Sequence, residues 1–413
     1  MADSTTADPN NNTEQPKKLF PNGAPPDVID DKMQEALKNL TVDDLVRGTT
    51  PKDIEERCLS LCQAYIGGTW SQAKSTEDVV VKRISGGLTN QLYHVQLKDT
   101  LPKVANTIYP DEPTDVAIKL YQAKHMKNYE DGDSERLTDI IVLTIISQVG
   151  IGPKVYGIFN DGVILAYHKH EQFRPKHQKD AKLLKELAQL LAKIHHLNVP
   201  IRKNNNWLLT EMRNMLNAGY ANTDVKGLVE ELDLKQFKNK DLADEFEEFE
   251  VLIKNLKTPI VFCHNDFRGS NILVTEPNQK ILLCDLEYSS YGARGFDMAV
   301  FLTEWERELF DFDSFTMPET EVIENFVKLY IEECNEIVPG YAEKPENQLT
   351  TVVNEAKIFF LANFMFFLVF MFKQTESLIP QIPYDAKNKM KYIDKYYANY
   401  LNIKKRLIDD KII

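Results

Sequence analysis

The chain has 413 residues, of which 43% are apolar, and a formal net charge of −13 at pH 7. This length exceeds that of one ordinary hydrophobic core and predicts two lobes. The acidic balance argues against a nucleic acid partner, because a polyanion would be repelled by the overall field. Five cysteines without regular spacing do not describe a disulfide framework.

The N-terminal half of the chain is predicted to carry a polar tail and then a small strand-rich lobe. Residues 1–28 are polar and lack the apolar run of a secretory signal, so we expect a disordered tail. Helical spacing over residues 30–65 is followed by segments of alternating or apolar character that predict strands, and residues 133–149 predict one long helix. The expected strand segments are 79–84, 92–97, 116–121, 154–159 and 162–168. The expected lobe comprises residues 29–166.

The second half, residues 167–413, reads as a large and mainly helical lobe. Residues 181–198 place their leucines on one helical stripe. Only the segments around 260–267 and 280–288 suggest strands, and polar residues follow each of them. A short connection near residues 166–170 joins the two parts. The expected fold class is therefore α+β, with a small β-rich N-terminal lobe and a large, mainly helical C-terminal lobe.

One apolar segment, residues 358–372, requires a membrane check. As a helix it would extend only ~22 Å at 1.5 Å per residue, which is less than the ~30 Å hydrocarbon core of a bilayer. We therefore expect a buried core helix, no membrane span and a soluble protein.

A glycine pair between two expected strands is the first candidate site. Two glycines allow backbone N–H groups to approach an anion, and the neighbouring hydroxyl and amide groups add donors. A hairpin turn without a ligand is the alternative interpretation of such a pair. The segment consists of Ser85, Gly86, Gly87, Leu88, Thr89 and Asn90.

Lys119 lies on an expected strand within the run Val-Ala-Ile-Lys. This run resembles the V-A-I-K strand of protein kinases, in which the lysine pairs with nucleotide phosphates and with an acid on the following helix. Glu135 and Asp139 are the candidate partners here. A surface lysine on an edge strand is the alternative.

The strongest candidate site combines two acidic segments. Asp266 and Asn271 have the spacing of the kinase motif H-R-D-x-x-x-x-N, and Asp285 and Glu287 follow the next expected strand. A carboxylate can orient and deprotonate a hydroxyl, while an amide and further carboxylates can hold Mg²⁺ over phosphates. The alternative is a pair of turns in which each aspartate caps its own backbone.

These segments together resemble the choline/ethanolamine kinase family. The resemblance rests on ISGGLTNQLYHV, HNDFRGSNILV and LLCDLEYSSYGARGFDMAVFLTEW, and it covers residues 80–310 well and the remainder loosely. The SSY and EW pieces lean toward the choline side of the family. The resemblance implies ATP-dependent phosphorylation of choline or a related amino alcohol, the first step of phosphatidylcholine synthesis. It also implies the two-lobed protein-kinase-like fold, Mg²⁺, a cytoplasmic location and a homodimer.

The resemblance assigns roles to residues in both lobes. Asp266 would be the catalytic base, and Asn271, Asp285 and Glu287 would hold Mg²⁺. Besides the 85–90 segment, the expected nucleotide-binding residues are Lys119, Tyr167, Arg268 and Asp285. The expected substrate-binding residues are Tyr288, Glu304, Trp305 and Phe366. Residues 29–166 would then form the nucleotide-binding lobe, and residues 167–413 the catalytic and substrate lobe.

The chain departs from the family pattern at several positions. Ser270 replaces a glycine, and Asp139 stands where a glutamate is usual. Phe366 and Val369 occupy the places of two tryptophans that wall the ammonium pocket, and Leu309 lies near the place of a tyrosine. An ethanolamine or aminoglycoside-type phosphotransferase therefore remains an alternative, as does a catalytically silent regulator that binds nucleotide.

Overall fold

The N-terminal half is built around one antiparallel sheet. The computed structural model describes residues 48–85, 89–126, 135–203, 207–307, 316–377 and 384–413, so the predicted tail lies outside the described residues. The strands pair in the order β1-β2-β3-β5-β4. The elements are α1 Ile54–Tyr65, β1 Val79–Ile84, β2 Gln91–Leu97, β3 Asp115–Leu120, α2 Glu135–Gln148, β4 Val155–Phe159 and β5 Gly162–Ala166.

One face of the sheet is apolar and packs in a core. In β2, for example, Tyr93, Val95 and Leu97 are buried, whereas the residues between them are not. Helix α1 covers this face with Cys58 and Cys62, both fully buried. These side chains form a hydrophobic cluster of their own, separate from the larger core.

The C-terminal half contains ten α-helices and five short strands within the part of the chain that the structure describes. Strands β6, β8 and β9 form one small sheet, and β7 pairs with β10. The strands are β6 His170–Gln172, β7 Ile260–Cys263, β8 Ile272–Thr275, β9 Ile281–Leu283 and β10 Ser290–Ala293. The helices are α3 Pro175–Gln178, α4 Ala181–His195, α5 Trp207–Asn222, α6 Val225–Leu232, α7 Lys235–Asn239, α8 Leu242–Asn255, α9 Arg294–Thr303, α10 Thr320–Ile337, α11 Leu349–Lys373 and α12 Ala386–Asp409, the first of them a single turn.

Helix α11 lies at the centre of the larger core and packs against α5, α9, α10 and α12. It has 25 residues, so the length argument against a membrane span was wrong: at 1.5 Å per residue it is ~37 Å long. Of its most apolar window, 72% is buried inside the protein. This burial, rather than its length, identifies α11 as a core helix.

The two hydrophobic clusters do not divide at residue 166. Val142, Ile146 and Ile151 precede that position but belong to the larger cluster. Helix α2 therefore packs onto the C-terminal half, and the proposed lobe boundary stays a prediction.

Candidate active site

Asp266 and Asn271 meet in the loop between β7 and β8, residues 264–271, which we call the HND loop. The Nδ2 group of Asn271 donates hydrogen bonds to Asp266 Oδ2 at 2.6 Å and to the Asp266 carbonyl oxygen at 2.9 Å. Arg268 Nε lies 3.2 Å from Asp266 Oδ1. The loop returns through a 3₁₀ turn, Gly269–Asn271. The spacing that the sequence analysis singled out thus brings the carboxylate and the amide into direct contact.

Asp297 of α9 holds the HND loop in an unusual backbone conformation. Asn265 has a φ of 64°, in the left-handed region that asparagine tolerates better than most residues. Its backbone N–H donates to Asp297 Oδ1 at 2.6 Å, and that of His264 donates to Asp297 Oδ2 at 2.7 Å. Asp297 is fully buried in the first turn of α9. One carboxylate therefore fixes two successive peptide groups beside Asp266.

Asp285 lies in the loop after β9, residues 284–289, which we call the DLE loop. Its φ is 57°, and its Oδ1 accepts a 2.6 Å hydrogen bond from Lys119 Nζ. Burial alone would raise the pKa of Asp285, but the charge and hydrogen bond of Lys119 outweigh burial and lower it. The two loops are tied together because His264 Nε2 donates to the Cys284 carbonyl oxygen at 3.0 Å.

Glu287 continues the DLE loop toward the N-terminal sheet. Its Oε2 accepts a 3.0 Å hydrogen bond from Asn90 Nδ2, and Asn90 Oδ1 accepts one from the backbone N–H of Gln122. Burial, followed by the charge of Asp285, raises the pKa of Glu287. Of the glycine segment, Gly86, Gly87 and Leu88 lie outside the described residues.

Asp139, one of the two candidate partners of Lys119, does not pair with it. Asp139 pairs instead with Lys124 at 2.8 Å and with Arg136 at 3.1 Å, while Lys119 reaches Asp285. Lys124 also donates to the Glu287 carbonyl oxygen at 2.5 Å. Lys124, in the loop after β3, thus makes the ion pair with Asp139 that was assigned to Lys119. The side chain of Glu135, the other candidate partner, lies outside the described residues.

The donor set of the two loops fits a hard divalent cation. Carboxylate and amide oxygens are the ligands that Mg²⁺ prefers, and Asp285, Glu287 and Asn271 offer both kinds. Burial raises the pKa of Glu287, and the neighbouring charge of Asp285 raises it further, so two acidic groups lie together here. A cation would relieve that excess of negative charge.

The four expected substrate residues lie in three places: the DLE loop, the C-terminal end of α9 and helix α11. Tyr288 is buried in the DLE loop, and Trp305 packs edge-on against Phe301 with ring centroids 6.0 Å apart. Phe366, on α11, packs against Phe296 of α9. Glu304 contacts the HND loop, since its Oε2 accepts a 2.7 Å hydrogen bond from the Gly269 N–H. Burial raises the pKa of Glu304.

Tyr167 and Arg268 complete the set of predicted residues. Tyr167 follows β5 and stacks on His94 of β2, with ring centroids 3.7 Å apart. The pKa of Arg268 is raised, chiefly by the charge of Asp266 and also by those of Glu304 and Asp285. Arg268 therefore lies among the three carboxylates of the cleft.

The sequence analysis missed Asp297 and Lys124. The signal for Asp297 was a single acidic residue in the largely apolar run of residues 295–302, and all ten residues of α9 are in fact buried. No local signal marked Lys124, whose partners Asp139 and Glu287 lie on other elements.

Solved structures with the same architecture confirm the predicted fold. A choline kinase from Cryptosporidium parvum superposes with a TM-score of 0.62 at 19% identity, covering 87% of this chain and 97% of that one. An ethanolamine kinase from Plasmodium vivax gives a TM-score of 0.61 at 19% identity, covering 92% and 99%. The chain thus has the two-lobed protein-kinase-like fold that the sequence predicted.

The family follows from a sequence model. Residues 81–403 match the family described as choline/ethanolamine kinase, and the chain belongs to that family. A human choline/ethanolamine kinase is 31% identical over 269 residues, which cover 62% of this chain and 64% of the human protein. The chain therefore spans less than two thirds of the length of this relative.

Proposed function

We propose that the protein transfers the γ-phosphoryl group of ATP to the hydroxyl of choline or a related amino alcohol. The observation that carries this proposal is the contact of Asp266 with Asn271 beside the Lys119–Asp285 pair, in a chain of the choline/ethanolamine kinase family. Phosphoryl transfer requires a base, oxygen ligands for Mg²⁺ and a phosphate-binding lysine.

In the proposed mechanism Asp266 orients the acceptor hydroxyl and takes its proton as the oxygen attacks phosphorus in line. Asn271, Asp285 and Glu287 would hold Mg²⁺, which when bound neutralises phosphate charge. Lys119 and the 85–90 segment would hold the phosphates, together with Arg268. The connection at Tyr167 would bind adenine through main-chain groups.

On the acceptor side, an ammonium group requires aromatic faces and a nearby carboxylate, because a quaternary nitrogen has no N–H to donate. Tyr288, Trp305 and Phe366 would supply faces and Glu304 the charge. Val369, fully buried on α11, provides no aromatic wall. We therefore expect choline to bind with a high KM and ethanolamine to be a competing acceptor.

The proposal extends to the setting of the reaction. It places the protein in the cytoplasm, at the first step of phosphatidylcholine synthesis, with a homodimer as the assembly. A nucleotide-binding regulator without transfer activity is the candidate from another class.

A panel of amino alcohols with labelled ATP tests the proposal, using the wild-type protein, Asp266→Asn and the control Asp244→Asn. Asp244 lies exposed in the first turn of α8 and undergoes the same chemical change far from the HND loop. We expect transfer to choline or ethanolamine, a loss in kcat of about 10²- to 10⁴-fold for Asp266→Asn, and no loss for the control.

Two results would contradict the proposal. Near-wild-type turnover by Asp266→Asn would remove this carboxylate from the mechanism. Binding of ATP without transfer to any acceptor would favour the regulator.

A further inference from the structure

Lys373, the last residue of α11, brings a positive charge to the aromatic residues of that helix. Its Nζ lies 5.4 Å from the centroid of the Phe370 ring. Phe370 stacks in turn on Phe366, with an interplanar angle of 8° and centroids 6.3 Å apart. Ammonium groups are attracted to aromatic faces at such distances. The side chain of Lys373 thus makes, within the protein, the contact that a cationic ligand would make.

The same lysine is anchored toward the DLE loop. Its Nζ donates a 2.5 Å hydrogen bond to the carbonyl oxygen of His125. The preceding residue, Lys124, donates one to the Glu287 carbonyl oxygen. Lys373 is therefore linked, through His125 and Lys124, to the DLE loop that contains Tyr288.

The ring of Tyr288 also has a lysine ammonium group of the chain over one face. The Nζ of Lys124 lies 5.8 Å from the centroid of its ring and is fixed by Asp139 and by the Glu287 carbonyl oxygen. Two aromatic residues near the expected acceptor site thus each have a lysine of the chain over one face. Lys124 belongs to a dense buried network, whereas Lys373 is only half-buried.

We propose that Lys373 is a specificity-determining residue whose ammonium group occupies the aromatic face beside the acceptor site and thereby weakens the binding of quaternary ammonium alcohols. This inference rests on the proposed function. The physical cause is twofold: the cation of the acceptor loses part of one aromatic surface, and it meets a like charge in a cleft of reduced dielectric. A neutral acceptor of the same shape experiences neither effect.

The charges around Lys373 are unevenly distributed. Burial lowers its pKa, and the negative charge of Glu211 on α5 acts in the opposite direction. Glu211 is itself buried. Removing the lysine charge leaves this carboxylate near the aromatic residues, which further favours a cationic acceptor in the variant.

The test compares Lys373→Met with Lys373→Arg and with the control Lys328→Met, an exposed lysine on α10. Choline and its neutral carbon analogue dimethylbutanol are titrated calorimetrically into each protein in the presence of ADP and Mg²⁺. We expect Lys373→Met to bind choline about 2- to 30-fold more tightly than the wild type, which is the range of one cation–π contact. Lys373→Arg, Lys328→Met and the binding of dimethylbutanol should be unchanged.

Lys373→Gln keeps a donor for the His125 carbonyl oxygen and serves as the second variant, with thermal melts to check that each protein is folded. Equal choline affinity in folded wild-type, Lys373→Met and Lys373→Gln proteins would overturn the inference. A parallel gain for dimethylbutanol would also overturn it, because the lysine would then act through its volume. Phosphoryl transfer is measured separately: if the wild type phosphorylates an amino alcohol and the affinities do not change, only this inference fails.

Discussion

Asp285 combines an ion pair with a strained backbone conformation. Its φ of 57° is uncommon for a residue with a side chain, and aspartate adopts it more readily than branched residues do. The 2.6 Å contact with Lys119 compensates part of this cost and joins the N-terminal sheet to the DLE loop. In the proposed mechanism both side chains must also serve the nucleotide, since Lys119 binds phosphate and Asp285 binds the metal.

Asp285→Ala should abolish the effect of Mg²⁺ on nucleotide binding, because in the proposed mechanism the metal loses one of its carboxylate ligands. Nucleotide titrations with and without Mg²⁺ measure this, and Asp244→Ala is the control for removal of an exposed carboxylate. The metal assignment is wrong if Asp285→Ala gains as much affinity from Mg²⁺ as the wild type does.

Helix α9 shows how an element positions a loop that it does not contain. Its first turn presents Asp297 to the backbone of the HND loop, and His195 of α4 contacts the same carboxylate at 3.2 Å. Burial lowers the pKa of His195, which keeps the ring neutral, and Tyr330 of α10 bonds its other nitrogen. His195, Cys263 and Asp297 also satisfy the distances of a metal site, but burial raises the pKa of Cys263 and Asp297 is committed to backbone N–H groups. We interpret the cluster as structural.

Asp297→Asn should reduce both stability and turnover, because one of its two acceptor oxygens becomes a donor facing a backbone N–H. We expect a loss of about 1–3 kcal/mol in the free energy of unfolding and a fall in kcat greater than the change in KM. Denaturant unfolding and steady-state kinetics measure the two effects.

Asp180→Asn is the matched control for this change. Asp180 also accepts two backbone N–H groups, those of Lys182 and Leu183, but it does so at the exposed start of α4, where asparagine caps equally well. Unchanged kcat in Asp297→Asn would show that the HND loop holds its conformation without this carboxylate.

At the scale of the whole molecule, local patterns were predictable and long-range partners were not. The strand segments are marked by their apolar and alternating residues, and the Asp266–Asn271 spacing is short. The strands and this contact could therefore be predicted from the sequence. The partner of Lys119 could not be predicted, because Asp139 pairs with Lys124, which the fold brings beside it. Helix α11 begins nine residues before the apolar segment that marked it, at Leu349. Its first part contains Glu355 and Lys357, which are buried because Arg294 and Thr320 bind them, and those partners could not be inferred from the segment itself.

Removal of residues 1–28 should leave kcat and the melting temperature unchanged. The segment is mostly polar, rich in asparagine and proline, and without helical or strand periodicity, so we expect no contribution from it to a core. Steady-state kinetics and thermal melts of the shortened and full-length chains provide the comparison. A large fall in kcat would mean that the tail contributes to the site.

The central position of α11 has a consequence for synthesis of the protein. Helices α5, α9 and α10 precede it along the chain, and each buries an apolar face against it. During translation these faces stay exposed to water until residue 373 has left the ribosome, whereas the N-terminal sheet already has its own hydrophobic cluster. We therefore expect the nascent C-terminal half to expose apolar surface that chaperones bind, and the HND loop, held by α9, to be ordered only after α11 has packed.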